Sequence, residues 1–381
     1  MADKNIPYVR EAFASLGSVR TVSGGEMSAE VVADADLLLT RSTITVDEQL
    51  LGRSRARFVA TATAGVEHVD QEYLARRGIE FASAPGSNAN SVAEYVAEAL
   101  LVLAERGGWS VAGKTIGVVG VGNVGSRIVQ KARALGVSVL ENDPPLARRT
   151  GESRFVDIRE IVKADVVTLH VPLTREGRDA TYHMVDAAFL GEMKPGAVLI
   201  NAARGPVVVE EDLKRAIKSG RLAAVVLDVW DNEPEVSTEL LEMVDIGTPH
   251  IAGHSLDGKV AGTAMVYEAA CRFLGVEPTV DVRMFLPPPE VPEIIVDGGG
   301  DPEAIVRATA TQVYNVLDDD ARLREISAVP PAERGEFFAS LRRNYPVRRE
   351  FYNTALSFRD CPQQARTALL RLGFRDADEE N

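Results

Sequence analysis

Three side chains, Arg204, Glu233 and His250, have the types and the order needed for one kind of chemistry. Oxidising an alcohol requires a base for the hydroxyl proton while hydride leaves for an acceptor. An imidazole, whose charge changes near neutrality, suits the first task. A carboxylate hydrogen-bonded to the ring fixes its tautomer and favours the imidazolium. A guanidinium grips a substrate carboxylate through two parallel hydrogen bonds and polarises the neighbouring carbonyl. Taken singly, each residue has a plainer reading: a surface arginine after a strand, a glutamate capping the turn before Pro234, a solvated histidine. Taken together, behind a glycine fingerprint, they describe hydride transfer between a nicotinamide and a 2-hydroxy acid.

The fingerprint is Gly120, Gly122 and Gly125, with Val121, Asn123 and Val124 between them. It follows an apolar run ending at Val119 and opens a helical stretch reaching Ala134, the context that dinucleotide binding requires. Gly120 permits the tight turn, Gly122 lets backbone approach a pyrophosphate, and Gly125 allows close helix–strand packing. The helix N-terminus offers free N–H groups to phosphate. The next strand ends in Glu141, Asn142 and Asp143. A carboxylate there accepts hydrogen bonds from ribose hydroxyls and repels a 2′-phosphate, which favours NAD over NADP. Asp143 is the preferred candidate; Glu141 is the alternative, or else a solvated strand-end charge.

Positioning these residues takes a parallel sheet. Apolar runs at Leu37–Thr40, Phe58–Thr61, Thr115–Val119, Val137–Leu140, Val166–Leu169, Val198–Ile200 and Ala224–Leu227 alternate with helical segments. That pattern indicates an α/β, doubly wound, Rossmann-like chain. Arg204, Glu233 and His250 each follow an apolar strand, so they belong at strand carboxyl ends, where open α/β sheets bind ligands. Because the fingerprint lies mid-chain, another α/β unit must precede it. Helices from Ser91 to Glu105 and from about Gly262 to Leu274 serve as the hinge. The expected division is a discontinuous substrate-binding lid domain (1–91 and 265–287), an NAD-binding domain (92–264) and a C-terminal α+β dimerisation domain (288–381). Pro287 to Pro289 marks the last break. The chain is expected to open on a clipped first strand and to close on a frayed polar tail from Asp376.

With 381 residues, 45% of them hydrophobic, the chain can bury several cores. Its net charge of −14 argues against nucleic acid or an anionic membrane as partner. No apolar run reaches membrane-spanning length and no secretory signal opens the chain, so a cytoplasmic setting is expected. Cys271 and Cys361 offer no disulfide framework, and the five histidines show no zinc-site spacing; no metal is expected.

The order of motifs over residues 30 to 280 resembles the D-isomer-specific 2-hydroxyacid dehydrogenases. A closer resemblance, to the 4-phosphoerythronate dehydrogenase family, rests on several further stretches. These are Asp3 to Tyr8, Arg41-Ser42, Thr61 to Gly65 with His68 and Asp70, Asp143 to Pro145, Asp245 to Gly253, and Ser255 to Lys259. The tail, with Arg343 to Tyr345 and Arg348 to Glu350, resembles that family's dimerisation domain. The resemblance implies oxidation of 4-phospho-D-erythronate with NAD in pyridoxal 5′-phosphate biosynthesis by a homodimer. It makes His250 the acid/base, Glu233 its partner and Arg204 the carboxylate binder. It also places Asp228 at the nicotinamide carboxamide, and Ser42 and Thr63 on the substrate with Arg41 as counter-charge for its phosphate. His254 stands where the family has a tyrosine and would donate the same hydrogen bond. Val171 stands near a small polar residue of the family and, like Gly253, leaves backbone contact to NAD.

Arg342-Arg343 and Arg348-Arg349 read as a solvated helix face or interface salt bridges, in preference to groups reaching a partner's phosphate pocket. His68, His170 and His183 read as structural, and Trp230 as packing. The competing functions are a 3-phosphoglycerate or other D-2-hydroxyacid dehydrogenase, and an NADH-sensing binding protein of the same fold.

Overall fold

The register of the larger sheet explains where the chemistry collects. In the computed structural model, which describes residues 1–379, six strands pair in parallel. Their order is Ile246–Gly247, Leu222–Leu227, Ala197–Asn201, Val166–Leu169, Thr115–Val119 and Ser138–Asn142. Val119 lies opposite Asn142 and Leu169, Leu169 opposite Asn201, Asn201 opposite Leu227, and Leu227 opposite Gly247. All six carboxyl ends therefore stop at one level. The chain order reverses between Thr115–Val119 and Val166–Leu169, so the crevice of this sheet opens beside Gly120 and His170.

A second parallel sheet has five strands: Thr21–Val22, Ala2–Asp3, Leu37–Thr40, Phe58–Thr61 and Glu80–Ala82. The opening strand is two residues long. A third, of three parallel strands, runs Glu293–Asp297, Ala355–Arg359 and Arg375–Asp376. Its strands are short: Arg375–Asp376 has no apolar residue, and Ala355–Arg359 is interrupted by Ser357.

The chain divides into two compact units, Met1–Asn88 with His254–Pro288, and Ala89–Gly253 with the chain from Pro289 onward. The crossings thus lie at 88/89 and 253/254, where sequence suggested 91/92 and 264/265. The helix Leu256–Leu274 belongs wholly to the first unit for a packing reason. A Cβ at Gly262 would meet the Ala62 carbonyl oxygen at 2.8 Å, and Thr263 Oγ1 donates to the Pro7 carbonyl at 2.9 Å.

Residues from 289 onward, with their own small sheet, group with the second unit and share its core. Ile294, Leu356 and Leu369 join Leu100, Val129 and Ala132 in one apolar cluster. Asp320, on the helix Val316–Arg324, accepts the Gly247 N–H at 2.7 Å and so covers the sheet's edge strand. The tail departs from expectation too: Asp376 is buried in the third sheet and pairs with Arg366 at 2.7 Å. The last two residues of the expected tail lie outside the described residues.

The arginine pairs separate into two groups. Arg343 is exposed beside Glu336 (2.6 Å), as a solvated helix face requires. Arg348 and Arg349 are instead only 5% and 7% exposed, which overturns the solvated reading for them.

The helix Ala89–Gly107 is buried nearly all round, including Glu94 and Glu98. Burial pushes the Glu98 carboxyl up to about 8, against the pull of a hydrogen bond from Thr311 Oγ1 (2.8 Å). A carboxyl that holds its proton more tightly when folded contributes its stabilisation below the unfolded value of 4.5 and loses it as pH climbs through about 8. One pKa unit corresponds to about 1.4 kcal/mol. The thermal advantage of Glu98→Gln over the parent is therefore expected to grow by several degrees between about pH 6 and about pH 8.5. Calorimetry at both values checks this; a pH-independent difference would count against it.

Candidate active site

Leu227 ends its strand and hands the chain to Asp228, which is buried. The Asp228 carboxylate accepts hydrogen bonds from Thr248 Oγ1 (2.7 Å), Ile251 N (2.7 Å) and Ala252 N (3.0 Å). Its carbonyl accepts the His250 N–H at 2.7 Å. Asp228 is thus the post on which the loop 248–252 is built. Burial raises its carboxyl above the ordinary range, against the opposing pull of His250, Thr248 and the two amides.

That network holds His250 at φ +56°, a left-handed conformation unusual for a side chain with a Cβ. In this conformation His250 Nδ1 lies 2.7 Å from Glu233 Oε2. The other oxygen, Oε1, accepts the Trp230 N–H at 3.0 Å. Burial pushes the Glu233 carboxyl up, but the charge and hydrogen bond of His250, the Trp230 amide and the charge of Arg342 outweigh it. The net result lies below the ordinary carboxylate range. Trp230 packs, as expected, and its Nε1 donates to the Thr248 carbonyl at 3.0 Å, tying the two loops together.

Arg204 follows the adjacent strand Ala197–Asn201. Asn201 braces its loop, donating Nδ2 to the Arg204 carbonyl (3.0 Å) and accepting the Ala203 N–H (3.1 Å). Gly205 must be glycine, because a Cβ there would sit 1.9 Å from the Trp230 carbonyl oxygen. This close approach seats the arginine loop against the loop that leads to Glu233. Arg204 is half-buried, with Nη1 on the Ala203 carbonyl at 2.8 Å. The three predicted residues therefore stand on loops after three neighbouring strands. Asn201, Thr248 and the bracing role of Asp228 were not read from sequence, since nothing local marks a side chain that serves its own loop.

The glycine turn fits a dinucleotide. Gly120 has φ +85°, and a Cβ on it would meet the His170 carbonyl oxygen at 2.6 Å. A Cβ at Gly125 would lie 1.9 Å from the Gly120 carbonyl oxygen. Gly122 is exposed with open space at its Cβ position, and the helix Asn123–Ala134 that it begins has no side-chain cap. Backbone there is open to a phosphate. Asn123 is exposed beside it, while Val124 packs on the core.

Asp143 accepts the Val121 and Leu146 N–H groups, each at 2.9 Å, one on each oxygen. Glu141 is not a solvated charge: it is buried between Arg133 (2.9 Å) and Arg154. Val171 packs toward Gly120. His170 shares a hydrogen bond with Thr168 Oγ1 (2.7 Å), while its Nδ1 is buried without a protein partner. Burial pushes this imidazole down to about 3, so it is neutral.

In the first unit, Arg41 and Ser42 follow Leu37–Thr40, and Thr63 follows Phe58–Thr61, with Thr40 opposite Thr61. Thr63 Oγ1 donates to the Gly65 carbonyl at 3.0 Å and lies 2.8 Å from Thr61 Oγ1. His68 Nε2 lies 3.1 Å from Thr61 Oγ1. Gly253 is the last residue of the second unit before the crossing. His254 begins the returning segment of the first, ahead of Ser255, which caps its helix.

Residues 92–252 match the family model of the D-isomer specific 2-hydroxyacid dehydrogenase, NAD binding domain, and residues 285–373 match a domain of unknown function, DUF3410. Erythronate-4-phosphate dehydrogenases of Cronobacter sakazakii and Salmonella arizonae are each 46% identical to the chain over 376 residues, covering 98% of it and 97% of their own length. The chain belongs to the erythronate-4-phosphate dehydrogenase family. Solved structures of the wider fold are more distant. The TT0316 protein of Thermus thermophilus is 26% identical, with a TM-score of 0.62 over 73% of this chain and 97% of that one. D-Lactate dehydrogenase of Aquifex aeolicus, complexed with NAD and lactic acid, is 25% identical, with a TM-score of 0.58 over 71% and 93%. Entamoeba histolytica 3-phosphoglycerate dehydrogenase bound to NAD+ is also 25% identical, with a TM-score of 0.60 over 72% and 92%.

Proposed function

We propose that the protein oxidises the C2 hydroxyl of 4-phospho-D-erythronate with NAD, giving 2-oxo-3-hydroxy-4-phosphobutanoate and NADH in pyridoxal 5′-phosphate biosynthesis. The observation that carries this reading is the 2.7 Å pair of His250 Nδ1 and Glu233 Oε2, in a chain that matches its named relatives over nearly its full length. With Nδ1 engaged, Nε2 is the ring atom that takes the hydroxyl proton. Glu233, held anionic, stabilises the imidazolium that results. Arg204 grips the substrate carboxylate and polarises the carbonyl forming beside it. Ser42, Thr63 and His254 contact the substrate, and Arg41 offsets its phosphate.

NAD, when bound, supplies the hydride acceptor. Gly120, Gly122, Asn123, Val124 and Gly125 would hold the pyrophosphate. Asp143 keeps lone pairs for ribose hydroxyls, having spent one on each oxygen on an amide. Asp228, Val171 and Gly253 would border the nicotinamide. The match of residues 92–252 to an NAD binding domain supports this assignment.

In this reading the first unit forms the substrate domain, residues 89–253 form the NAD domain, and the module from 289 onward joins two copies into a cytoplasmic homodimer. Two observations support such an interface. Glu293–Asp297 is an edge strand whose Ile295 is 52% exposed, and Val347 and Tyr352 are exposed in the same module. Among the described residues no helix is long and apolar enough to cross a membrane.

The test is NADH formation from 4-phospho-D-erythronate and 3-phospho-D-glycerate side by side, with a 2-oxo acid added to reoxidise cofactor that stays bound. A preference for the erythronate of at least about 100-fold in kcat/KM is expected. Turnover of glycerate alone would move the assignment to that substrate. Tight NADH binding with no turnover would favour the sensing reading.

A further inference from the structure

Arg348, Arg349 and Glu350 are consecutive charged residues of the C-terminal module, and all three are buried. Arg349 turns to Asn353 Oδ1 at 2.6 Å. Glu350 accepts from Ser91 Oγ (2.5 Å) and Asn90 Nδ2 (2.6 Å), which fastens the segment to the start of the helix Ala89–Gly107. Arg348 does something different. Its guanidinium stacks 3.6 Å from the centre of the Tyr314 ring, and its Nη2 donates to the Ser91 carbonyl at 2.8 Å. Its Nη1 donates to the carbonyl of Ala252 at 3.1 Å.

Ala252 lies two residues beyond His250, and its own N–H is held by Asp228 Oδ2 at 3.0 Å. This residue is therefore gripped on both polar groups, by a carboxylate on its amide and by a guanidinium on its carbonyl. A buried guanidinium is expensive and is tolerated only with good partners. The guanidinium also lies 3.8 Å from the buried Glu94 carboxyl through Nη2, but that pairing does not involve Nη1, which is the atom spent on the Ala252 carbonyl. What an apolar side chain cannot do is hold a carbonyl in a fixed place. The left-handed His250 makes that function necessary, because a loop in a sparsely populated conformation relaxes unless its surroundings over-determine it.

We infer that Arg348 is a positioning residue for the reaction, fixing the loop 250–252 so that the His250 imidazole stays aligned on Glu233. The C-terminal module thereby takes part in catalysis from within its own chain, through the loop that Arg348 braces. This inference rests on His250 being the acid/base.

The test uses the full chain with Arg348→Lys, which keeps the charge but loses the fork, and Arg348→Met, which keeps an unbranched stem but removes the guanidinium. In both, kcat is expected to fall about 10- to 100-fold, since small misplacements of a catalytic group cost rates of that order. KM and NADH affinity, the latter read by fluorescence titration, are expected to stay within about threefold. Glu350→Gln is the control, because it loosens the same segment without reaching the loop. It should lower Tm comparably while keeping kcat within about threefold.

Folded Arg348 variants with unchanged kcat would overturn the inference. So would a kcat that tracks Tm equally in the Glu350 variant. If neither Arg348 variant folds, Tyr314→Leu removes the guanidinium's platform, and Tyr314→Phe removes only the hydroxyl that donates to Asp319 Oδ2 at 2.9 Å: a several-fold fall in kcat in the first alone supports the inference, and an unchanged kcat in the first or an equal fall in both overturns it. His250→Ala in the same assay separates the two readings, since activity surviving there would remove the acid/base role itself.

Discussion

Replacing His250 with alanine is expected to lower kcat by roughly 10³- to 10⁴-fold while leaving NADH affinity within about threefold. The size of the effect follows from how completely the loop is devoted to one ring. Asp228 receives three hydrogen bonds from residues 248 to 252 and gives its carbonyl to the His250 amide. None of these is lost with the imidazole, so the loop should persist and the nucleotide fold should be untouched. What disappears is the proton acceptor and, with it, the task of Glu233.

The companion variant Glu233→Gln keeps a hydrogen-bonding group and removes only the negative charge. A smaller fall is expected, about 10- to 100-fold, because the ring keeps a partner while its imidazolium loses a counter-charge. Glu233 sits below the ordinary carboxylate range in the folded chain. Its contribution is therefore present above the unfolded value of 4.5 and is lost only as pH falls through the lower folded one. It should add no break to the kcat/KM profile between about pH 5 and pH 9. Steady-state kinetics across that range checks both points. A loss of under about tenfold in His250→Ala would remove the acid/base assignment.

The legible part of this protein is the part where chemistry forces a residue type at a fixed place after a strand. Gly120, Gly122 and Gly125 could be read because each answers a separate steric demand, and the close approaches a Cβ would make at Gly120 and Gly125 express two of them. The placement of Arg204, Glu233 and His250 on loops after neighbouring strands could be read because each follows an apolar run. Gly205 sat in plain sight beside Arg204, yet its requirement comes from the Trp230 carbonyl, a contact between segments far apart in sequence.

The buried charges were the least legible. Arg348, Arg349 and Glu350 have the composition of a solvated face, and Glu94 and Glu98 have that of an exposed helix stripe. Only tertiary partners such as the Ser91 and Ala252 carbonyls turn them inward. Domain bounds shifted for the same reason. Nothing near Gly262 announces that its helix lies against the strand end at Ala62. An α+β module was expected at the C-terminus, but its strands could not be placed one by one, because a two-residue strand such as Arg375–Asp376 carries no apolar run.

Arg204 is the second place where a single substitution should nearly abolish the activity. Arg204→Met is expected to reduce kcat/KM by about 10²- to 10⁴-fold, as two charge-assisted hydrogen bonds of about 1.5–3 kcal/mol each would predict. The scaffold gives the variant a good prospect of folding. Asn201 holds the loop through the Arg204 carbonyl and the Ala203 amide, and Gly205 holds it against Trp230, none of which uses the guanidinium.

Arg204→Lys decides what the guanidinium does. If its charge alone mattered, lysine would restore most of the lost rate. If planar two-point recognition fixes the carboxylate so that C2 faces the acceptor, lysine should recover less than about a tenth of it. The division of the loss is informative as well. A group that only binds the carboxylate raises KM and spares kcat, whereas one that also polarises the forming carbonyl acts more strongly in the transition state and lowers kcat. A fall in both, with lysine a poor substitute, is the expected result. An effect confined to KM would reduce Arg204 to a substrate anchor and leave carbonyl polarisation to the imidazolium of His250.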